Sequence, residues 1–282
     1  MIIVKLQGGL GNQMFQYALG RQLAQKNQTK LKLDLSDYQN NQFRQYLLGY
    51  FNVKENFASE EDLLKFKKSN FRKIIEKIKP LHFKKIIKQR SYQFDSTILT
   101  LPNNIYLDGY WQSEKYFKEI EPIIRQEFTL KEKFASFEQA LFKKISITNS
   151  ISLHLRRGDY ITSQKINNIY SQLPLDYYYQ AIKRINITQP NFFVFSDDIN
   201  WAKENLKLPS PVFFIDHGNR ACYQDLILMS QCKYNIIANS SFSWWAAWLN
   251  NYPKKIVIAP KKWFKDTTIN IQNIIPVNWQ TL

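Results

Sequence analysis

The chain has 282 residues, of which 44% are hydrophobic and 15% aromatic. At about 150 residues per domain, this length favours two globular domains and excludes a collagen-like, disordered or disulfide-stapled protein. Lys and Arg number 39 against 23 Asp and Glu, which gives a formal net charge of +16. This excess predicts a polyanionic partner: a nucleic acid, an anionic membrane or a phosphorylated small molecule.

Targeting signals are missing from the printed sequence. The N-terminal segment MIIVKLQGGLG lacks the basic region, the apolar core and the cleavage site of a signal peptide. No apolar run approaches the ~18 residues of a transmembrane helix. Cys222 and Cys232 have neither CxxC nor zinc-type spacing, and we expect buried free thiols. We therefore expect a cytoplasmic protein.

Strand and helix signals alternate along the chain, which predicts an α/β fold with parallel sheets. In the first half, the hydrophobic patterns predict strands at 2–6, 31–35 and 105–107, and helices at 14–23, 59–90, 113–128 and 131–145. In the second half, they predict strands at 150–155, 192–195, 212–215, 234–238 and 255–259, and helices at 176–187, 198–206, 223–232 and 242–251. The pattern restarts near residue 150, so the predicted domains are 1–148, with a basic helical insert at about 59–90, and 149–282.

A glycine cluster follows the first predicted strand and precedes a helix. Gly8, Gly9 and Gly11 let bare backbone approach a ligand, and the free N–H groups of the helix point at it. A dinucleotide-binding fingerprint, with Asp34 on the ribose, fails because Met14 stands where a third glycine is required. A tight turn without a ligand is the alternative.

The second motif, His154-Leu155-Arg156-Arg157-Gly158-Asp159, ends a predicted strand. Adjacent arginines match phosphate oxygens, and a strand end is the usual ligand edge of an α/β fold. His154 and Arg156 point to the same face because side chains alternate along a strand. Asp159 can orient an arginine or cap the next turn. A surface ion-pair cluster is the alternative.

Polar residues follow two other predicted strands. Asp197 and Asp198 favour a helix N-cap, with a group facing the ligand as the alternative. Ser240, Ser241 and Ser243 open a helix whose first N–H groups form either an anion site or only a capped turn.

Asp225 enters an otherwise apolar helix. A carboxylate there suits the N1 and N2 donors of guanine, although an acidic residue in a first turn needs no ligand. The glycine, arginine and serine motifs together place three anion-binding elements at strand ends. The sequence therefore predicts a diphosphate-bearing substrate.

The order of these motifs resembles the bacterial α-1,2-fucosyltransferases of glycosyltransferase family 11. The resemblance is carried by Gly8–Gln13, Gly109–Phe117, His154–Asp159, Phe195–Asp198 and Asn239–Trp245. It implies a GT-B architecture, with two Rossmann-like parallel-sheet domains facing each other across a cleft. It also implies GDP-β-L-fucose as donor, a galactose-terminated acceptor glycan fucosylated at its 2-hydroxyl with inversion, and neither a cofactor nor an obligatory metal.

The resemblance implies residue roles in the donor site as well. Arg156 contacts the diphosphate, and Arg157 supports it by charge or by ordering the loop. His154 and Asp225 hold guanosine. The remaining donor-site residues implied are the phosphate-binding Ser241 with its neighbours Ser240 and Ser243, and Asp197.

Near the reacting sugar, the resemblance implies the loop that contains Gly9 and Gly11, with Asn12 closest to the chemistry. The general base stays open. Asp159 or Glu114 could accept the acceptor proton, Asn12 could act as a weak base, or a dissociative reaction could need none.

Three other functions compete with this interpretation. A nucleic-acid-binding protein would explain the charge, but no zinc-finger, RNP or bZIP pattern is present. An oxidoreductase fails at the missing glycine. Another nucleotide-sugar transferase, with a different sugar or acceptor, is the main alternative.

The basic stretch 65–90 has eleven Lys or Arg and one acidic residue. It predicts either a solvated helix pair or peripheral contact with anionic lipid at the inner membrane face.

Overall fold

The computed structural model describes residues 1–39, 44–66, 80–132, 136–158, 167–209, 211–216 and 222–282. The chain divides into two compact units, Met1–Lys131 with Ile271–Ile274, and Glu132–Asn270 with Ile275–Leu282. Each unit contains one sheet, and every strand pairing in both sheets is parallel. The helix Ser136–Ile147, which lies before the predicted boundary at 148, groups with the second unit.

The first unit is a four-stranded sheet in the order β2-β1-β4-β3. Its elements are β1 (Ile2–Lys5), α1 (Leu10–Lys26), β2 (Leu31–Asp34), α2 (Glu60–Leu64), β3 (Ile86–Lys88), β4 (Ile105–Asp108) and α3 (Glu121–Glu127). The apolar residues of β1 are fully buried, as expected for a central parallel strand covered on both faces.

The predicted helix over 59–90 is wrong in its described C-terminal part. Ser59 starts α2 with a capping box, and α2 ends at Leu64. Residues 67–79, where most of the predicted helix falls, lie outside the described residues. After Pro80 a 3₁₀ turn leads into β3, which pairs with β4. The β-branched residues of β3 fit a pleated edge strand, and that long-range pairing overrides the local helical spacing.

The helix predicted from residue 113 also begins later than expected. Ser113 does act as an N-cap, but of a 3₁₀ turn at Glu114–Tyr116. The α-helix itself is α3, which starts at Glu121 with proline in its first turn.

The second unit is a six-stranded sheet in the order β10-β9-β8-β5-β6-β7. Its elements are α4 (Ser136–Ile147), β5 (Asn149–Leu155), α5 (Leu175–Ile185), β6 (Pro190–Ser196), α6 (Ile199–Asn205), β7 (Val212–Ile215), α7 (Cys222–Gln231), β8 (Tyr234–Ile236), α8 (Ser241–Leu249), β9 (Ile256–Ala259) and β10 (Gln280–Thr281). Counted from β5 and read from β7, this is the Rossmann order 3-2-1-4-5-6. The short β10 was not predicted from the sequence.

Side chains alternate along β5 and so separate two environments. Ile151, Leu153 and Leu155 join the apolar core formed with α5 and α6. The other face carries buried polar groups; for example, the Asn235 amide donates to Ser152 Oγ at 2.8 Å. The position of His154 in this alternation places it on the polar face.

Cys232 is fully buried, as predicted, whereas Cys222 is only half-buried. Burial raises the pKa of the Cys232 thiol, so it stays protonated at neutral pH. Among the described helices, none is long and apolar enough to span a bilayer.

Candidate active site

In the second unit, the strand order reverses between β5 and β8, since β6 and β7 lie on one side of β5 and β9 and β10 lie on the other. The crevice at the carboxyl ends of strands that flank such a switch point is the usual ligand site of an open α/β sheet. The arginine motif ends β5, the aspartate motif ends β6 and the serine motif follows β8. The fold therefore brings three predicted motifs to adjacent strand ends.

Arg156 lies just past β5 and is held by a carboxylate from the neighbouring strand. Its Nη1 is 3.0 Å from Asp197 Oδ2, and both side chains are about one-fifth exposed. The other carboxylate oxygen of Asp197 accepts from the Arg157 backbone N–H at 2.8 Å. A Cβ on Gly158 would approach that carboxylate to 3.0 Å, so a larger residue there would displace the carboxylate by a few tenths of an ångström. Asp197 thus orients Arg156 and the backbone that follows it.

Arg157 is engaged by neighbouring side chains. Its guanidinium carbon lies 3.6 Å from the centre of the Trp201 ring, while Nε approaches Asp198 at 3.4 Å and Nη1 donates to Gln172 at 3.2 Å. Asp198 also accepts from the Trp201 backbone N–H and is the N-cap of α6, which confirms the predicted cap. These contacts make Arg157 an anchor of the loop that carries Arg156.

The serine motif caps α8. Ser240 Oγ accepts from the Phe242 backbone N–H at 3.3 Å, and Ser243 Oγ donates to the Ser240 carbonyl at 3.4 Å. Ser241 is the first helical residue and is half-buried. The His154 ring packs on Phe242 with ring centres 5.7 Å apart. The end of β5 and the N-terminus of α8 are therefore in direct contact.

Asp225 lies in the first turn of α7 and is 8% exposed. This helix follows β7, so its N-terminus lies at the same edge of the sheet as the arginine and serine motifs. The fold therefore places a buried carboxylate beside a candidate nucleotide site. Asp159 and residues 217–221, which precede α7, lie outside the described residues.

The first unit has its own switch point, between β1 and β4. The glycine cluster follows β1 and the segment Gly109–Gln112 follows β4, so these two elements meet at one edge. The Gln112 side-chain amide donates to Asn12 Oδ1 at 2.8 Å and is 5% exposed. This hydrogen bond joins residues 100 positions apart in the sequence.

In the glycine turn, the backbone lies close to neighbouring side chains. Gly8 has a φ of +78°, and a Cβ there would lie 2.7 Å from Asn12 Nδ2. Gly9 is the N-cap of α1, and a Cβ there would be 3.6 Å from a guanidinium nitrogen of Arg44. Arg44 is a cation that sequence reasoning missed, because it lies in no recognisable motif. Gly11 is buried inside α1.

The segment after β4 is strained and tightly held. Trp111 has a φ of +56°, which for a bulky residue costs of order 1–3 kcal/mol and occurs chiefly at functional sites. Gln89 Oε1 accepts from the backbone N–H groups of both Tyr110 and Trp111, at 2.7 and 3.1 Å. A Cβ on Gly109 would lie 2.4 Å from Gln89 Cβ, so only glycine fits there.

Two carboxylates at this edge were missed by sequence reasoning. Asp37 pairs with Lys5 at 3.3 Å, and Asp108, the last residue of β4, pairs with Lys88 at 3.5 Å. The position of Asp108 immediately before the Gly109 motif was an available signal. Burial, and then the charge of Asp37, raises the pKa of the Tyr110 hydroxyl, so it is neutral at physiological pH.

The structure also shows where two other candidate residues from the sequence, Asp34 and Glu114, lie. Asp34, the candidate ribose ligand of a dinucleotide site, is buried and accepts from the Tyr106 hydroxyl at 2.5 Å and from the Ser36 backbone N–H at 2.9 Å. Its oxygens are used inside the first unit. Glu114 lies in the 3₁₀ turn that follows the Gly109–Gln112 segment.

Comparison with known proteins shows the family to which this chain belongs. The sequence model of glycosyl transferase family 11 matches residues 1–282. An alpha-1,2-colitosyltransferase of Escherichia coli is 36% identical over 290 residues, covering 99% of this chain and 98% of that protein. The O-antigen biosynthesis glycosyltransferase WbnK of Escherichia coli is 35% identical, covering 92% and 93%. Galactoside alpha-(1,2)-fucosyltransferase 1 of Saimiri boliviensis boliviensis is 27% identical, covering 51% and 42%.

Solved structures share the fold at low identity. NodZ, an α-1,6-fucosyltransferase co-crystallized with GDP, has a TM-score of 0.56 at 16% identity and covers 91% of this chain and 94% of that chain. The FUT1 protein of Arabidopsis thaliana, in complex with GDP, has a TM-score of 0.51 at 9% identity, covering 91% and 69%. The predicted fold class, an α/β protein of GT-B type, is confirmed.

Proposed function

Because the chain belongs to glycosyl transferase family 11, we propose that it transfers L-fucose from GDP-β-L-fucose to the 2-hydroxyl of a terminal galactose, with inversion. The acceptor is an oligosaccharide or a surface glycan. One observation carries the donor assignment: Arg156, His154 and the N-terminus of α8 converge at the switch point of a Rossmann-ordered sheet. Two relatives, an α-1,2-colitosyltransferase and a galactoside α-(1,2)-fucosyltransferase, support the linkage.

In the second unit, the proposed chemistry is stabilisation of the leaving diphosphate. Cleavage of the bond between fucose and phosphate gives an oxocarbenium-like sugar and builds negative charge on GDP, much as glycoside hydrolysis passes through a sugar cation. Arg156 and the first N–H groups of α8 stabilise that charge more strongly in the transition state than in the ground state. Asp197 and Arg157 hold Arg156 in place before the substrate binds.

In the first unit, Asn12 is the proposed contact to the reacting sugar. Its Oδ1 accepts from Gln112, so Nδ2 is the group left to face a substrate oxygen. We therefore favour a hydrogen-bond donor over the weak base considered from the sequence. Asp37 and Asp108, two of the described carboxylates in this unit, are each paired with a lysine, so neither is assigned as the general base.

A second donor, GDP-colitose, is favoured by one observation, the 36% identity to an α-1,2-colitosyltransferase. Colitose is L-fucose without its 3-hydroxyl. A site built to hydrogen-bond a substrate hydroxyl rejects the analogue that lacks it by ~10⁴–10⁵-fold. Measuring kcat/KM for the two donors with lactose as acceptor decides between them: a strong preference for GDP-colitose would contradict the fucose assignment.

We expect the donor site to bind without a divalent metal. In EDTA, GDP and GDP-fucose should raise the Tm, whereas UDP and NAD should not, because the proposed contacts are arginine, helix N–H groups and a guanine-binding carboxylate. A ligand at 100 times its Kd adds about 2.7 kcal/mol to the free energy of unfolding. Differential scanning fluorimetry measures the shift. Stabilisation by GDP only after Mg²⁺ is added would contradict the metal-free site.

We expect Asp225→Asn to weaken GDP binding roughly 10-fold or more. An amide oxygen cannot replace a carboxylate toward both guanine donors, and a hydrogen bond to a charged group contributes about 1.5–3 kcal/mol. Titration calorimetry with GDP measures the loss. Asp176→Asn, in the first turn of α5, is the matched control and should bind GDP normally. Equal affinities in the two variants would remove Asp225 from the guanosine site.

A further inference from the structure

A pocket of about 330 Å³ lies in the first unit beside the strained Trp111 segment. This volume is in the range of small-molecule sites, ~300–1,000 Å³. Nothing in the donor chemistry uses this pocket. The lining residues that matter here are Lys84, Lys88, Arg90, Asp95, Trp111 and Tyr116.

The lining is cationic. Three basic side chains face one carboxylate, that of Asp95. Lys88 forms an ion pair with Asp108 at 3.5 Å, and its side chain is 75% exposed. Within the part of the chain that the structure describes, Arg90 forms no ion pair. Such a lining fits an anionic ligand and opposes a cationic one.

The pocket also has an aromatic wall, formed by Trp111 and Tyr116. The rings of Trp111 and Tyr116 meet edge-on, with centres 5.9 Å apart. Trp111 is 2% exposed, and its indole N–H has no hydrogen-bond acceptor among the described residues. A buried donor of this kind is rare in native structures, because leaving it unmet is costly. The N–H has almost no accessible surface, so Trp111 lines the pocket through other atoms of its ring.

From these observations we propose that the pocket binds an acidic group of the acceptor glycan, a carboxylate or a phosphate. The inference rests on the proposed function and narrows its substrate class to anionic acceptors. The next residue after Trp111 is Gln112, which bonds Asn12 at 2.8 Å. The pocket wall and the group proposed to contact the reacting sugar are therefore linked through one short segment, Trp111 in the wall and Gln112 bonded to Asn12.

Three galactose-terminated acceptors test this: neutral lactose, lactobionate with a carboxylate, and lactose 1-phosphate. We expect KM to be roughly 10-fold lower for one or both anionic acceptors than for lactose, at similar kcat. The double variant Arg90→Gln, Lys88→Gln should abolish that preference. Lys30→Gln, which removes a charge at the opposite edge of the same sheet, should retain it. The two anionic arms distinguish carboxylate from phosphate.

Binding can be followed without turnover through the indole N–H signal of Trp111 in a ¹⁵N-labelled protein. The signal is assigned from Trp111→Phe or, if that variant does not fold, from through-space contacts to Tyr116. We expect lactobionate or lactose 1-phosphate to shift it and lactose to shift it much less. A shift without any transfer would leave this site standing and refute the proposed function. No acceptor preference and no shift would overturn the inference.

Lipid docking is the competing use of the same charges. If Arg90→Gln lost binding to phosphatidylglycerol vesicles while the KM values for lactobionate and lactose 1-phosphate stayed unchanged, the pocket assignment would be wrong. If vesicle binding stayed the same and acceptor preference fell, the assignment would be supported.

Discussion

Replacing Arg156 with alanine is expected to lower kcat by roughly 10²–10³-fold. The reason is that a preorganised donor aimed at developing charge is worth about this much in a site of low dielectric. Arg156 is placed by the end of β5 and by its 3.0 Å ion pair with Asp197, at the switch point where the diphosphate is proposed to bind. Steady-state kinetics with GDP-fucose and lactose measures the loss.

The same variant should fold. Arg156 and Asp197 are both about one-fifth exposed, and a solvent-screened pair contributes at most about 1 kcal/mol to stability. Asp197 also keeps its bond to the Arg157 backbone. Arg156→Lys retains the charge but loses the planar fork, so it should recover only part of the rate. Arg184→Gln, an exposed position on α5, is the matched control. A folded Arg156→Ala enzyme with normal kcat would refute the donor site.

The second large effect is expected at Asn12. Asn12→Ala should lower kcat roughly 100-fold, because removing one side-chain donor to a transition state typically costs ~10²–10³. Gln112→Ala should also lower kcat, since its amide orients Asn12 through the 2.8 Å bond. If Gln112 acts through Asn12, the double variant should be no slower than Asn12→Ala alone.

Rates of the two single variants and the double variant give this cycle directly. Strictly additive losses would mean that Gln112 acts independently of Asn12. Asn52→Ala removes an exposed amide from the same unit and should leave kcat unchanged. A normal kcat in Asn12→Ala would exclude Asn12 from the chemistry. The pH profile should keep its shape in both single variants, because neither amide titrates near neutral pH.

Local signals predicted most of the fold. The strand Val212–Ile215 is found with its predicted bounds, and the caps at Ser59, Asp198 and Ser240 mark helix starts. These features depend on residues within a few positions of one another, so hydrophobic alternation and side-chain capping are sufficient to reveal them.

The secondary-structure predictions failed where the local conformation depends on contact with a distant segment of the chain. Residues 86–88 show no strand signal strong enough to override the helical pattern around them, yet they pair with β4. The 3₁₀ turn after Ser113 is similar, because the backbone there follows a strained Trp111 held by Gln89, far away in the sequence. A single-sequence pattern contains no information about such partners.

The sequence by itself determined the alternation of strands and helices, the motifs that follow the strands, and the excess of positive charge. Only the tertiary structure decided which residues meet: Arg156 with Asp197, Arg157 with Trp201, and Asn12 with Gln112. The physical reason is parallel pairing. Parallel strands are joined by long crossovers, so the residues at one sheet edge come from distant segments, and their order follows from packing of the whole sheet.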